Sequence, residues 1–306
     1  MSILVVGSVA LDTITTPAGT RREVLGGSAT HFSISASFFA GVRLVGVVGE
    51  DFGEAHRRPF VDRGVDLEGL ETAPGRTFRW VGEYGEDPNE ATTRDLQLNV
   101  FSRFSPRLPP HWRRPSIVFL ANIDPDLQRK VLDQVEGSPL VAADTRDHWI
   151  VEKPDSLRRV LERTAIFFVN DSEIRRLTGE RSLVAAAEAV RAMGPETVVL
   201  KKGEHGVMVL GRGGPFALPA FPLRSVVDPT GAGDSFAGGF LGHLERAGGP
   251  GEEDLRRGAV LGSVMASFDV EDFSLDRLLR LDEGEIRGRY EAFEALTRFG
   301  PLEGRP

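Results

Sequence analysis

Apolar, β-branched runs recur at 3–7, 44–48, 117–121, 139–142, 166–169, 197–200 and 207–210, each the length of one strand. Between them, 28–40 repeats apolar side chains three and four apart through Ala29, Phe32, Ala36, Phe39 and Ala40, and 126–135, 155–163 and 182–193 carry the same helical spacing. From Ala232 onward almost the whole sequence reads as helix. Strands alternating with helices predict a mostly parallel central sheet with helices on both faces. No internal repeat, low-complexity tract or polar linker interrupts the pattern, so one α/β domain is expected over 1–306.

One stretch departs from this rhythm. Between Gly75 and Phe101 helical spacing disappears, and Thr77–Val81 and Leu96–Phe101 read as two strands joined by Glu86-Asp87-Pro88-Asn89. With the short segment 13–24 they predict a small β-sheet lid formed by about 12–25 and 74–102. Such a sheet either pads an edge of the domain or closes over a ligand.

Composition removes several classes of function. The chain has 306 residues and a net charge of -8, which disfavours a general surface for nucleic acid or anionic membrane. Its only lysines stand at 130, 153, 201 and 202, none after a glycine, so a P-loop is absent and any phosphate must be held another way. There is no cysteine, which excludes disulfides, thiolate nucleophiles and Cys-ligated zinc. Six histidines are never spaced to place two ligands on one helix face. The first residues lack the basic and small-residue features of a cleaved leader, and a cytoplasmic, unprocessed chain is expected.

The segment Ser225-Val-Val-Asp-Pro-Thr-Gly-Ala-Gly-Asp-Ser-Phe-Ala-Gly-Gly-Phe240 carries the chemistry. A strand ending at Val227, a tight Pro-Gly loop and a small-residue helix from about Ala232 are predicted. Gly231 and Gly233 let backbone approach a ligand, and the free N–H groups of the first helical turn make a phosphate cradle that needs no lysine. Asp234 falls in that turn, placed to take a proton from an attacking hydroxyl. Taken alone, Asp228 or Asp234 is equally a helix cap after a turn.

The nine-residue string Asp-Pro-Thr-Gly-Ala-Gly-Asp-Ser-Phe, 228–236, closely resembles the C-terminal signature of the ribokinase-like, or PfkB, carbohydrate kinases. Other segments follow that family's order from about residue 3 to about residue 270. The resemblance implies a ribokinase-like fold and in-line transfer of the ATP γ-phosphoryl group to a hydroxyl, usually a primary alcohol. It makes Asp234 the base, with the amides of Gly231, Ala232 and Gly233 as anion hole. It gives Asp12, after Val6-Gly7-Ser8-Val9-Ala10-Leu11, and the Gly26-Gly27 turn to the substrate, with His31 where many members carry an asparagine. Lys202 and Gly203, in Val198-Val-Leu-Lys-Lys-Gly-Glu-His-Gly206, with Asp228 and Thr230, are implied as nucleotide contacts. Asn170 and Glu173 are implied to hold Mg²⁺ through water, which suits an ion that keeps several waters.

The resemblance also implies a possible homodimer through the lid. Its expected acceptor is a sugar or sugar derivative. A nucleoside kinase on the same scaffold is the nearest rival, with Phe32, Phe78, Trp80 and Phe101 offering faces to a base. Arg146, in a segment unlike the family's usual element, either meets an anionic group or pairs with Asp144 or Asp147. A binding regulator without catalysis is opposed by Asp234, the two glycines and Glu173. A nicotinamide dehydrogenase lacks its Gly-x-Gly-x-x-Gly after the first strand.

Overall fold

A computed structural model describes residues 2–300; Met1 and 301–306, the ends of the expected domain span, lie outside the described residues. Strands β1 (Ile3–Val6), β2 (Ala10–Thr16), β3 (Gly19–Gly26), β4 (Val42–Gly49), β5 (Leu70–Ala73), β6 (Arg79–Tyr84), β7 (Ala91–Gln97), β8 (Ile117–Leu120), β9 (Leu140–Ala143), β10 (Ile166–Asn170), β11 (Thr197–Lys201), β12 (Val207–Gly211) and β13 (Gly214–Leu218) form two sheets. The nine-stranded sheet runs β13-β12-β11-β10-β9-β8-β1-β4-β5, parallel except for the antiparallel β11-β12 and β12-β13 pairs. The four-stranded sheet runs β3-β2-β6-β7.

The central strands of the large sheet, such as β1, β8 and β10, are buried on both faces, as a parallel sheet between helices requires. Helices α1 (Ser28–Ala36), α2 (Glu54–Asp62), α8 (Ala232–Ala247), α9 (Glu252–Asp269), α10 (Asp276–Leu279) and α11 (Glu283–Thr297) bury one face. Helices α3 (Pro125–Leu132), α4 (Asp147–Glu152), α5 (Pro154–Leu161), α6 (Asp171–Thr178) and α7 (Leu183–Arg191) bury the other. From β1 the chain winds to β4 and β5 on one side, then restarts at β8 and winds away on the other. Strand order thus reverses between β1 and β8, and ligands of open α/β sheets bind beyond the carboxyl ends at such a point.

The seven apolar runs and four helical patterns all correspond to elements, with helix α1 stopping at Ala36. Two expectations fail. The second lid strand lies at Ala91–Gln97, earlier than the apolar 96–101 stretch, which instead enters a 3-10 turn at Asn99–Arg103. Strand β7 is exposed at every residue, so it needs no apolar alternation, and Val100 belongs to the core under the large sheet. No strand ends at Val227 either. Its N–H donates to the Val270 carbonyl at 2.8 Å and its carbonyl accepts from Thr16 Oγ1 at 2.8 Å, so a helix end and a side chain take the place of a sheet neighbour.

Candidate active site

The segment Pro229–Asp234 turns at Gly231, the N-cap of α8, with φ 82°. That left-handed conformation favours glycine, and a Cβ there would lie 2.1 Å from Nδ1 of His31, so the turn lies flat against the imidazole. Among the described residues the N–H groups of Gly231, Gly233 and Asp234 make no hydrogen bond, whereas Ala232 N–H donates to the Pro229 carbonyl at 3.3 Å. The turn therefore leaves the other three amides unpaired. Asp228 is fully buried and sets the loop: Oδ1 accepts from Thr230 N–H and Oδ2 from Ser274 N–H, both at 2.9 Å. Both oxygens serve the fold, which leaves Asp228 as the loop's anchor.

Four charged groups converge beside this turn. Asp144 follows β9, Lys201 ends β11, and Glu173 stands on α6 after β10, so adjacent carboxyl ends of the sheet deliver them together. Lys201 Nζ is 2.7 Å from Asp144 Oδ2 and 3.1 Å from where a Cβ on Gly233 would sit. Burial pushes the Asp234 carboxyl up to about 7, Asp144 adds to the rise, and Lys201 and His31 oppose it. Glu173 rises to about 7 for the same first reason. Burial disfavours the charge on Lys201, yet Asp144 and Glu173 outweigh it and raise its pKa.

Lys202, the cation expected from sequence, makes no ion pair among the described residues; the lysine that reaches the cluster is its neighbour Lys201. Lys201 is the last residue of β11, whereas Lys202 lies beyond the strand, at the start of the 3-10 turn Gly203–His205. Burial gives the expected consequence of losing that neighbour. Lys201→Met leaves Asp144, 4% exposed, without its partner and should lower unfolding stability by about 2 kcal/mol. Lys201→Met/Asp144→Asn should recover most of the loss, as read by thermal denaturation.

Asn170 and Glu173 form a capping box on α6: Asn170 Oδ1 accepts from Glu173 N–H at 2.7 Å and Glu173 Oε2 from Asn170 N–H at 2.9 Å. Among the described residues no group of three or more His, Asp or Glu side chains is arranged to hold a metal. The donor set therefore fits an ion carried on phosphates and met through water by Glu173, and does not fit a protein cage.

The residues expected to meet the substrate lie beyond the carboxyl end of β1. Gly27 has φ 94°, and a Cβ there would lie 2.4 Å from the Ser8 carbonyl, so the α1 turn needs glycine to pass so close to the chain after β1. A Cβ on Gly26 would lie 1.9 Å from Asp12 Oδ2, so Gly26 makes room for the carboxylate. Burial raises Asp12 to about 7 against the pull of His31. His31 is buried with Nδ1 3.1 Å from Asp269 Oδ1; burial disfavours its charge, yet Asp269, Asp234 and Asp228 raise it to about 9. Asp269, the last residue of α9, carries no short motif, and only the fold brings it to His31.

The small sheet reaches both sides of the site. Thr230 Oγ1 donates to the Tyr84 hydroxyl at 3.2 Å, and a Cβ on Gly203 would lie 2.0 Å from Asn89 Oδ1 at the hairpin turn. Of the four aromatics considered for a base, Phe32 stacks on Phe119 at 4.3 Å inside the core, and Trp80, 8% exposed, packs with Ile14 and Phe273. Phe78 and Phe101 stack on each other at 5.4 Å and stay partly buried. Arg146 is exposed and forms no ion pair with Asp144 or Asp147 among the described residues. No described helix is long and apolar enough to cross a membrane.

Comparison with known proteins identifies the family and the fold. Residues 135–268 match the model of the pfkB family carbohydrate kinases. A cytidine kinase of Thermococcus kodakarensis is 31% identical over 265 residues, covering 84% of this chain and 93% of that protein. The crystal structure of the Methanocaldococcus jannaschii nucleoside kinase, an archaeal member of the ribokinase family, superposes with a TM-score of 0.77 at 22% identity, covering 95% of this chain and 98% of the other. Aminoimidazole riboside kinase from Salmonella enterica, complexed with aminoimidazole riboside and an ATP analogue, gives 0.74 at 20%, covering 95% and 100%. The two structures share the ribokinase-like fold with this chain.

Proposed function

The chain belongs to the pfkB family of carbohydrate kinases and is an ATP-dependent phosphotransferase acting on a sugar or nucleoside hydroxyl; from that premise we propose that its acceptor is a nucleoside. The cytidine kinase, alike over most of both chains, favours a nucleoside over a free sugar. The observation that carries the reading is the buried Asp234 carboxyl in the first turn of α8, directly after the free amides of Gly231 and Gly233.

In this mechanism the nucleoside's primary hydroxyl lies against Asp234, with its sugar hydroxyls toward Asp12 and the Gly26-Gly27 turn. Asp234 accepts the hydroxyl proton as the oxygen bonds to the γ-phosphorus, while the bond from that phosphorus to the bridging oxygen breaks and ADP leaves. The amides at the start of α8 hold the charge that grows on the transferring group; one such donor is typically worth about 3 kcal/mol. Lys201 adds a fixed positive charge beside Gly233, while Thr230 and Gly203 line the nucleotide side. Mg²⁺ bound through the phosphates would offset charge on them, with Glu173 and Asn170 positioning its waters. Tyr84, tied to Thr230, and Asn89, against Gly203, close the small sheet over the reacting groups and exclude water.

ADP release measured against cytidine, other ribonucleosides, pentoses and hexoses tests the assignment. Turnover is expected with ribonucleosides at a kcat/KM at least tenfold above any free sugar; a free sugar as best substrate overturns the nucleoside reading. The pH profile is a second expectation. A base whose pKa stands at about 7 is mostly protonated at pH 6 and cannot accept a proton, so kcat/KM should fall as pH drops below about 7 and level off above it. Asp12, also raised to about 7, steepens the acid limb.

A further inference from the structure

Among the described residues three that are not glycine have left-handed backbone: Glu23, Asn99 and Ser274. Glu23 is exposed and Asn99 half-buried, whereas Ser274, with φ 52°, is 4% exposed. A side-chain-bearing residue keeps that conformation only where its surroundings fix it, and such residues gather at ligand clamps and switches. Ser274 lies after α9 and bonds to two separate segments. Its N–H donates to Asp228 Oδ2 at 2.9 Å, and its hydroxyl donates to the Leu25 carbonyl at 2.5 Å.

Each partner adjoins a turn of the candidate site. Through its other oxygen Asp228 holds the N–H of Thr230, the residue before Gly231 at the start of α8. Leu25 directly precedes the Gly26-Gly27 turn. The rest of the segment divides the same way: the Val270 carbonyl accepts from Val227 N–H, while Phe273 packs with Ile14 of β2 and Trp80 of β6 beneath the small sheet. Residues 270–274 thus form a strap between the loop that opens α8 and the small sheet, and Ser274 is hydrogen-bonded to both.

We propose that Ser274 is a positioning residue that couples the two ligand sides, so that ATP seated at the Gly231 turn and a nucleoside seated at the Gly26-Gly27 turn each tighten binding of the other. Moving either turn disturbs a bond of one buried residue whose backbone is fixed. A ligand that settles one turn therefore leaves less ordering for the second ligand to bring about. The bonds from Thr16 to the Val227 carbonyl and from Thr230 to Tyr84 tie the same loop to β2 and β6, but neither involves the Gly26-Gly27 turn. The assignment rests on the nucleoside-kinase reading and adds to it an interdependence between the two substrates.

Isothermal titration of the full-length protein with cytidine, alone and with saturating Mg²⁺ and a non-hydrolysable ATP analogue, tests it. In wild type the analogue should tighten cytidine at least about fivefold, and cytidine should tighten the analogue by the same factor, since coupling is reciprocal. Ser274→Ala removes the hydroxyl bond and keeps the N–H to Asp228; Ser274→Gly does the same without the left-handed strain. In both variants the factor should fall below about twofold, whichever way the separate affinities move. A packing role alone would lower the melting temperature and leave the factor at its wild-type value. A folded variant that keeps the wild-type factor, or a wild type that binds the two ligands independently, overturns this assignment and leaves the nucleoside reading intact. Failure of both variants to fold overturns it too, because Ser274 would then hold the fold and not the coupling. If wild type binds a free sugar and no ribonucleoside, the nucleoside reading falls, and the coupling stands or falls with the same factor measured on that sugar. Binding of neither overturns both.

Discussion

Asp234→Asn is expected to lower kcat about 10³-fold while leaving KM for ATP within a few-fold and the melting temperature at pH 8 no lower than wild type. The asparagine matches the carboxyl in shape but cannot accept the proton, and a positioned base is typically worth 10²–10⁴-fold. The stability half follows from sign. Burial raises the folded-state pKa of Asp234 above its ordinary value to about 7, so at pH 8 the folded protein holds an ionised carboxylate that burial penalises. A neutral side chain removes that penalty, which is about 1.4 kcal/mol for each pKa unit of displacement. Loss of turnover without loss of fold assigns the effect to chemistry. Loss of both would show that Asp234 holds the turn together instead.

Gly231→Ala is expected to damage the fold and the reaction at once. At φ 82° an L side chain costs roughly 1 kcal/mol against glycine, and the new Cβ would stand 2.1 Å from Nδ1 of a buried ring that Asp269 holds in place. Overpacking of that kind typically costs a further 1–3 kcal/mol. Relief by backbone movement displaces the amides that open α8, so kcat/KM should fall about 100-fold or more, as loss of one anion-hole donor does. Denaturant unfolding and steady-state rates read the two halves. His31→Ala in the same chain removes the obstacle and should recover part of the lost stability, because touching sites are not additive. Equal loss of stability with and without His31 would contradict the packing argument.

Much of this was legible along the chain. Buried strands are written as continuous apolar runs because the sheet is covered on both faces, so β1, β4, β8 to β12 and helices α1, α3, α5 and α7 follow from local pattern, whereas α2, α4 and α6 do not. Glycines at 26, 27, 231 and 233 announced places where backbone must turn or come close, and the structure uses each of them that way. What stayed hidden lies where tertiary contacts replace local rules. Strand β7 reads as polar because it is an exposed edge, and Val227 pairs with a helix end and a threonine, neither of which has a periodicity. The lysine in the charged cluster adjoins Lys202 in sequence, and which of the two reaches the cluster turns on β11 ending at Lys201, a boundary the apolar run does not fix. Asp269 is a single acidic residue at a helix end, one of 45 acidic residues, and becomes notable only when the fold sets it 3.1 Å from His31.

A crystal structure of the enzyme with a non-hydrolysable ATP analogue and a ribonucleoside bears most directly on the central claim, that the start of α8 is where phosphoryl transfer happens. The γ-phosphate is expected within hydrogen-bond distance of the Gly231 and Gly233 amides, with an Asp234 oxygen about 2.6–3.2 Å from the nucleoside's primary hydroxyl. A γ-phosphate bound away from those amides, or an acceptor hydroxyl out of reach of Asp234, would contradict it.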